Sequence, residues 1–129
     1  MRMPRCVLVV DDDQAIRETL RLVLEDSNYV VFEAPDGQTA LRIARESQER
    51  MVVLLDLIMP GFDGEQVLSA VAGDETLATR HVYVLMTAAH KRLSPTLKAL
   101  LEMVTAPIMQ KPFDLDTLLN TVADAGNRL

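Results

Sequence analysis

The sequence predicts a doubly wound α/β domain: a five-stranded parallel sheet with helices on both faces. Three features carry that prediction. Apolar runs alternate with amphipathic segments five times along the chain. The first run, Cys6 to Val10, is short, continuous and β-branched, which is the pattern of a strand covered on both faces. Acidic residues, a threonine and a lysine follow the carboxyl ends of those runs, where ligands bind in open parallel sheets.

The first strand is Cys6 to Val10. Asp13 suits the N-cap of the following helix, whose stripe of Ile16, Leu20, Val23 and Leu24 faces inward and whose end is marked by Ser27 and Asn28. Tyr29 to Phe32 reads as the second strand, Ala34 to Gly37 as a turn with Asp36 as a cap, and Thr39 to Arg45 as a short helix. Met51 to Leu55 is the third strand and ends in Asp56. Asp63 and Gln66 form a capping box that opens a helix through Val67, Leu68 and Val71, closed near Gly73-Asp74. His81 to Met86 gives a fourth strand. Leu93, Leu97, Leu100, Leu101 and Val104 have helical spacing, although Pro95 blurs the start. Pro107 to Gln110 makes a short fifth strand that begins without a ladder donor and therefore suits an edge. The last helix carries Leu115, Leu118, Leu119 and Val122, with Asp114 as its cap and Gly126 near its end.

Composition narrows the function. The 129 residues are expected to form one domain, residues 1–129, with no repeat, no linker and no segment left for an effector domain. The net charge of −6 disfavours direct contact with nucleic acid or an anionic membrane. A single cysteine, Cys6, is expected to be a small core residue, and no Cys/His spacing suits zinc. His81 and His90 also lack ligand spacing and are expected at a strand edge and in a loop. A cytoplasmic location fits the lone cysteine, and no stretch of the sequence reaches the length of a membrane span.

Chemistry should gather at the strand ends. Asp11, Asp12 and Asp13 follow the first strand, Asp56 ends the third, Thr87 ends the fourth and Lys111 follows the fifth. Carboxylates this close need a cation, and an all-oxygen ligand set favours magnesium or manganese. Such a site suits a phosphoryl group. Lys111 would pair with a carboxylate or phosphoryl oxygen, the Thr87 hydroxyl could donate to another, and Asp56 is the best candidate for a nucleophile that carries phosphorus.

Four strings, in order, bear a resemblance. Val9-Val10-Asp11-Asp12-Asp13, Leu54 to Gly64 (LLDLIMPGFDG), Thr87-Ala88 and Lys111-Pro112-Phe113 resemble the receiver domain of bacterial two-component response regulators, over essentially the whole chain. The resemblance implies a flavodoxin-like sheet of strand order 2-1-3-4-5. It implies that Asp56 is the phosphoacceptor, that Asp11, Asp12, Asp56 and the backbone carbonyl of Ile58 hold Mg²⁺ (or Mn²⁺), that Thr87 is the switch hydroxyl and that Lys111 contacts the phosphoryl group. The Lys111-Pro112 bond is similar to the family's cis peptide. A histidine kinase or phosphotransfer protein would be the donor, and a downstream protein or effector domain the recipient of the signal. Dimerisation through the last two β/α units is compatible with it. The domain would phosphorylate and dephosphorylate itself without being an enzyme, and the apolar side chains of Ile58 and Ala89 point to a long-lived phosphoryl state.

Two positions depart from that pattern. Ile108 replaces the usual aromatic residue three positions before the lysine, and the stretch from His90 to Pro107 is unlike the family's. They motivate an alternative, a receiver-like interaction module with no or altered switching. A flavin carrier is disfavoured by three aspartates where a phosphate loop would be needed. Asp114-Leu115-Asp116-Thr117 matches a phosphatase string but precedes a helix at once, so capping is the expected role.

Overall fold

The computed structural model describes residues 5–88 and 93–129. Five strands, β1 (Cys6–Val10), β2 (Val30–Ala34), β3 (Met51–Asp56), β4 (Val82–Thr87) and β5 (Ile108–Gln110), form one parallel sheet in the order β2-β1-β3-β4-β5. Among the described residues, six helices surround it: α1 (Gln14–Asp26), α2 (Gly37–Glu46), α3 (Gly64–Ala72), α4 (Glu75–Arg80), α5 (Pro95–Met103) and α6 (Leu115–Gly126). Among the described residues, no helix is long and apolar enough to cross a membrane.

The sheet separates two apolar layers. Leu8, Val10, Val53, Leu55, Tyr83 and Leu85 point toward α2, α3, α4 and α5. Val7, Val9, Val52, Leu54, Val84 and Met86 point toward Leu20 and Leu24 of α1 and toward Leu118 and Val122 of α6. Successive strand residues face opposite ways, so a strand covered on both sides must be apolar at every position. Every residue of β1, β3 and β4 is buried, with Asp56 and Thr87 as the polar exceptions at the strand ends.

Local signals account for the helix starts. The Asp13 carboxylate accepts from the amides of Ala15 and Ile16, and Asp36 and Asp114 cap α2 and α6 through Thr39 and Thr117. Asp63 and Gln66 make both bonds of the capping box. Pro95 does not disrupt α5. It occupies the first turn, where the missing N–H has no intrahelical partner, and Ser94 is the cap.

Several boundaries differ from the sequence reading. β2 starts and ends later than Tyr29 to Phe32, and α2 begins at Gly37. The helix α4 was not expected: six residues bury Leu77 alone, too few to display a period, although Asp74 supplies its cap. His81 precedes β4 and is no edge residue. It is 3% exposed, its Nδ1 accepts from the Met51 amide at 3.0 Å and its Nε2 lies 2.8 Å from the Ala44 carbonyl oxygen. The ring ties the start of β3 to α2, a contact between segments far apart in sequence. Cys6 is buried as expected, and that burial, with Glu49 nearby, raises its thiol pKa. His90 and Ala89 lie outside the described residues.

Past α5 the chain reverses through Thr105 at φ 54°, with the Ala106 amide donating to Leu101 O at 2.8 Å. That left-handed position favours glycine, and a β-branched residue there costs about 1 kcal/mol or more.

Candidate functional site

The polar groups at the strand ends converge. Asp11, immediately after β1, is 1% exposed, while Asp12 beside it is exposed. Asp56 terminates β3, the central strand, and is buried. Lys111 follows β5, and its backbone amide donates to the Thr87 carbonyl at 3.0 Å, which holds the lysine against the end of β4. Its Nζ then lies 3.1 Å from Asp11 Oδ2 and 3.4 Å from Asp56 Oδ1. Thr87 is buried at the end of β4. The Lys111-Pro112 bond is cis.

Among the described residues, Asp11, Asp12 and Asp56 each offer a carboxylate oxygen within 4.8 Å of the others. Fully ionised, three carboxylates and the Lys111 ammonium sum to −2, the charge that one divalent cation neutralises. The donor set is all oxygen, the kind that magnesium and manganese take. The residues fit such an ion.

Electrostatics point the same way. Burial raises the Asp56 pKa to about 6, the Asp11 charge adds to the rise, and Lys111 and the Ile58 amide oppose it. Burial alone would lower the pKa of Lys111, but the Asp56 and Asp11 carboxylates outweigh it and the net shift is upward. Both partners hold protons more tightly, as expected where carboxylates outnumber cations.

The loop after Asp56 is held by a close approach. The Gly64 amide donates to Leu57 O at 2.9 Å, and a Cβ at residue 64 would sit 2.6 Å from the Asp56 carbonyl oxygen. Only glycine lets the start of α3 pack on the backbone of Asp56. Ile58, in the same loop, is 67% exposed, and Ile108 is partly exposed on the edge strand β5. Asp13 belongs to the α1 cap rather than to the carboxylate group.

Asp11, Asp12, Asp56 and Lys111, expected at the strand ends, lie together in the structure, whereas the residues that support them were not singled out. The packing role of Gly64 lay inside a recognised string. Arg17 and Glu33 were not singled out, yet they form an ion pair at 3.2 Å beside Asp11. No sequence signal joins residues on separate elements in this way.

Known proteins resemble this chain along most of its length. Residues 7–123 match the model of the response regulator receiver domain. The chain is 36% identical over 119 residues to the response regulator MprA of Mycolicibacterium vanbaalenii, covering 91% of this chain and 48% of that protein. It is 32% identical over 120 residues to the DNA-binding dual master transcriptional regulator RpaA of Synechocystis, covering 93% and 48%. The chain thus spans about half the length of these curated relatives. Among solved structures, the chemotaxis protein CheY4 of Vibrio cholerae superposes with a TM-score of 0.78 at 30% identity, covering 95% of this chain and 98% of that one. A CheY-like receiver domain protein from Methanospirillum hungatei gives 0.80 at 29%, covering 95% of each.

Proposed function

This chain belongs to the response regulator receiver domain family, and from that premise we propose that it accepts a phosphoryl group on Asp56 from a histidine kinase or phosphotransfer protein and thereby switches binding of a downstream partner. The observation that carries the reading is the meeting of three carboxylates and one ammonium from separate strand ends, with the Asp56 carboxyl short of positive charge.

In the transfer, an Asp56 carboxylate oxygen bonds to phosphorus as the bond from phosphorus to the donor's imidazole nitrogen breaks. That nitrogen leaves with the electron pair, and Asp56 becomes an acyl phosphate. Asp11, Asp12, Asp56 and the Ile58 carbonyl would hold Mg²⁺, or Mn²⁺ in its place. When bound, the ion supplies Lewis-acid neutralisation of charge on the phosphoryl oxygens. Lys111 keeps its proton and pairs with one of those oxygens, and the Thr87 hydroxyl donates to another. The phosphorylated carboxyl carries more charge than the carboxylate it replaces, which biases the loops after β4 and β5 between two arrangements. Hydrolysis of the acyl phosphate regenerates Asp56, so the chain modifies itself and turns over no separate substrate.

An apolar groove lined by Ile16, Leu20, Pro112 and Phe113 opens beside Lys111, giving the donor a surface next to the acids. Met103 and Ile108 are exposed on the last two β/α units, the proposed face for the output partner or for a second copy. The domain would work in the cytoplasm, as one receiver unit, without direct contact with nucleic acid or membrane. A receiver-like module without switching is not favoured, because the acid cluster and its lysine are intact.

Mass spectrometry after treatment with acetyl phosphate tests the reading. One phosphoryl group per chain is expected with Mg²⁺, much less without it, and none on Asp56→Asn. Equal labelling of Asp56→Asn would overturn the assignment.

A further inference from the structure

Arg17 lies one turn into α1, and its side chain is 14% exposed. Its guanidinium has two partners. Nη1 donates to the backbone carbonyl of Asp11 at 2.8 Å, and Nε donates to Glu33 Oε1 on β2 at 3.2 Å. The other oxygen of Glu33 lies 3.1 Å from Arg21 Nε, and Arg21 Nη2 donates to the Val31 carbonyl at 2.6 Å. The two arginines therefore grip the edge strand β2 and extend from it to the acid loop.

Every polar group of Asp11 is engaged. Its amide donates to Ala34 O at 3.2 Å, its carbonyl accepts from Arg17, its Oδ1 accepts from the Asp13 amide at 3.0 Å, and its Oδ2 accepts from Lys111 at 3.1 Å. The Asp11 carbonyl lies in the peptide plane that joins Asp11 to Asp12. Fixing that plane fixes the backbone from which both carboxylates depart.

We propose that Arg17 is a positioning residue for the divalent-cation site, clamping the Asp11–Asp12 peptide to β2 through Glu33 so that both carboxylates face Asp56. The proposal rests on the cation reading above. A guanidinium suits the task because its planar fork holds a carbonyl and a carboxylate at once, which a compact ammonium does not. Glu33 shares its charge between Arg17 and Arg21. Arg17 reaches the acid loop through the Asp11 backbone carbonyl and not through a carboxylate, so the clamp acts through geometry.

Two variants separate geometry from charge. Arg17→Lys keeps the charge and loses the fork. Arg17→Met with Glu33→Met removes one charge of each sign and leaves the net charge unchanged. Mg²⁺ binding is measured by titration calorimetry at neutral pH, well below the melting temperature of each variant, and exchange of the Asp13 amide is followed by NMR without metal. Outer partners of metal ligands typically contribute 10- to 100-fold in affinity, and a fall of about tenfold is expected in both variants, together with faster Asp13 exchange. If one variant fails to fold, the other decides. Mg²⁺ affinity equal to that of the wild type in a folded variant, or weaker affinity with unchanged Asp13 exchange, overturns the clamp and leaves the cation reading standing. A wild-type chain with no saturable Mg²⁺ binding overturns both.

Discussion

At the carboxyl end of the sheet, among the described residues, Asp11 and Asp56 are buried around the Lys111 ammonium, whereas at the amino end His81 is buried with each ring nitrogen matched to a backbone group. The aromatic neighbour of His81 is equally well supplied: the Tyr83 hydroxyl donates to Leu77 O at 2.9 Å, and its ring meets the His81 ring edge to face. Both ends bury polar atoms, but in one the partners balance and in the other they do not. Burial with matched partners holds a fold together. Burial that leaves charge uncompensated stores free energy that a cation can release.

Breaking the matched end has the largest expected effect on stability. His81→Leu strands the Met51 amide and the Ala44 carbonyl in the core, at a cost of about 3 kcal/mol in total. The unfolding midpoint in urea should fall accordingly. A midpoint equal to that of the wild type would mean that the amino end is not held as described.

The opposite sign is expected at the other end. The Asp56 pKa of about 6 lies above its ordinary 3.8, so ionising this carboxyl at neutral pH opposes folding by up to ~3 kcal/mol. Asp56→Asn should therefore stabilise the metal-free chain by about 2 kcal/mol while abolishing phosphorylation. If the variant is less stable than the wild type, the carboxyl end is better compensated than the geometry indicates.

The pH dependence compares the two ends in one experiment. A raised carboxyl pKa means the folded chain binds more protons than the unfolded one between pH 3.8 and about 6, so the Asp56 contribution falls as pH rises through that window. His81 acts in reverse. Burial, with Arg80 and Arg50 nearby, lowers its pKa below 6.5, so the unfolded chain binds more protons and stability falls as pH drops below that value. Saturating Mg²⁺ should remove the first slope and leave the second, with a net change of about 1 kcal/mol between roughly pH 5 and pH 7. Thermal melts with and without Mg²⁺ check this. An equal Mg²⁺ shift at both pH values would contradict the contrast.

The site was more legible than its support. Asp11, Asp12, Asp56, Thr87 and Lys111 were readable because each sits where an apolar run stops, and a parallel sheet brings all its strand ends to one edge. The caps Asp13, Asp36, Asp63 and Asp114 were equally readable, since a cap and its amide partner are two or three residues apart. His81 was misread, and Arg17 and Glu33 went unnoticed, for the converse reason. Their partners lie 30, 6 and 16 residues away, on other elements. The helix α4 fell below the length at which a hydrophobic period shows.

The sequence by itself determined the strand and helix order and the identity of the charged residues, because hydrophobic periodicity and capping act over a few residues. Tertiary structure alone decided how far apart the carboxylates lie, how strongly Asp56 holds its proton, and which polar groups at the two sheet ends find partners. Those depend on distance and burial across the sheet, which no local stretch of chain encodes.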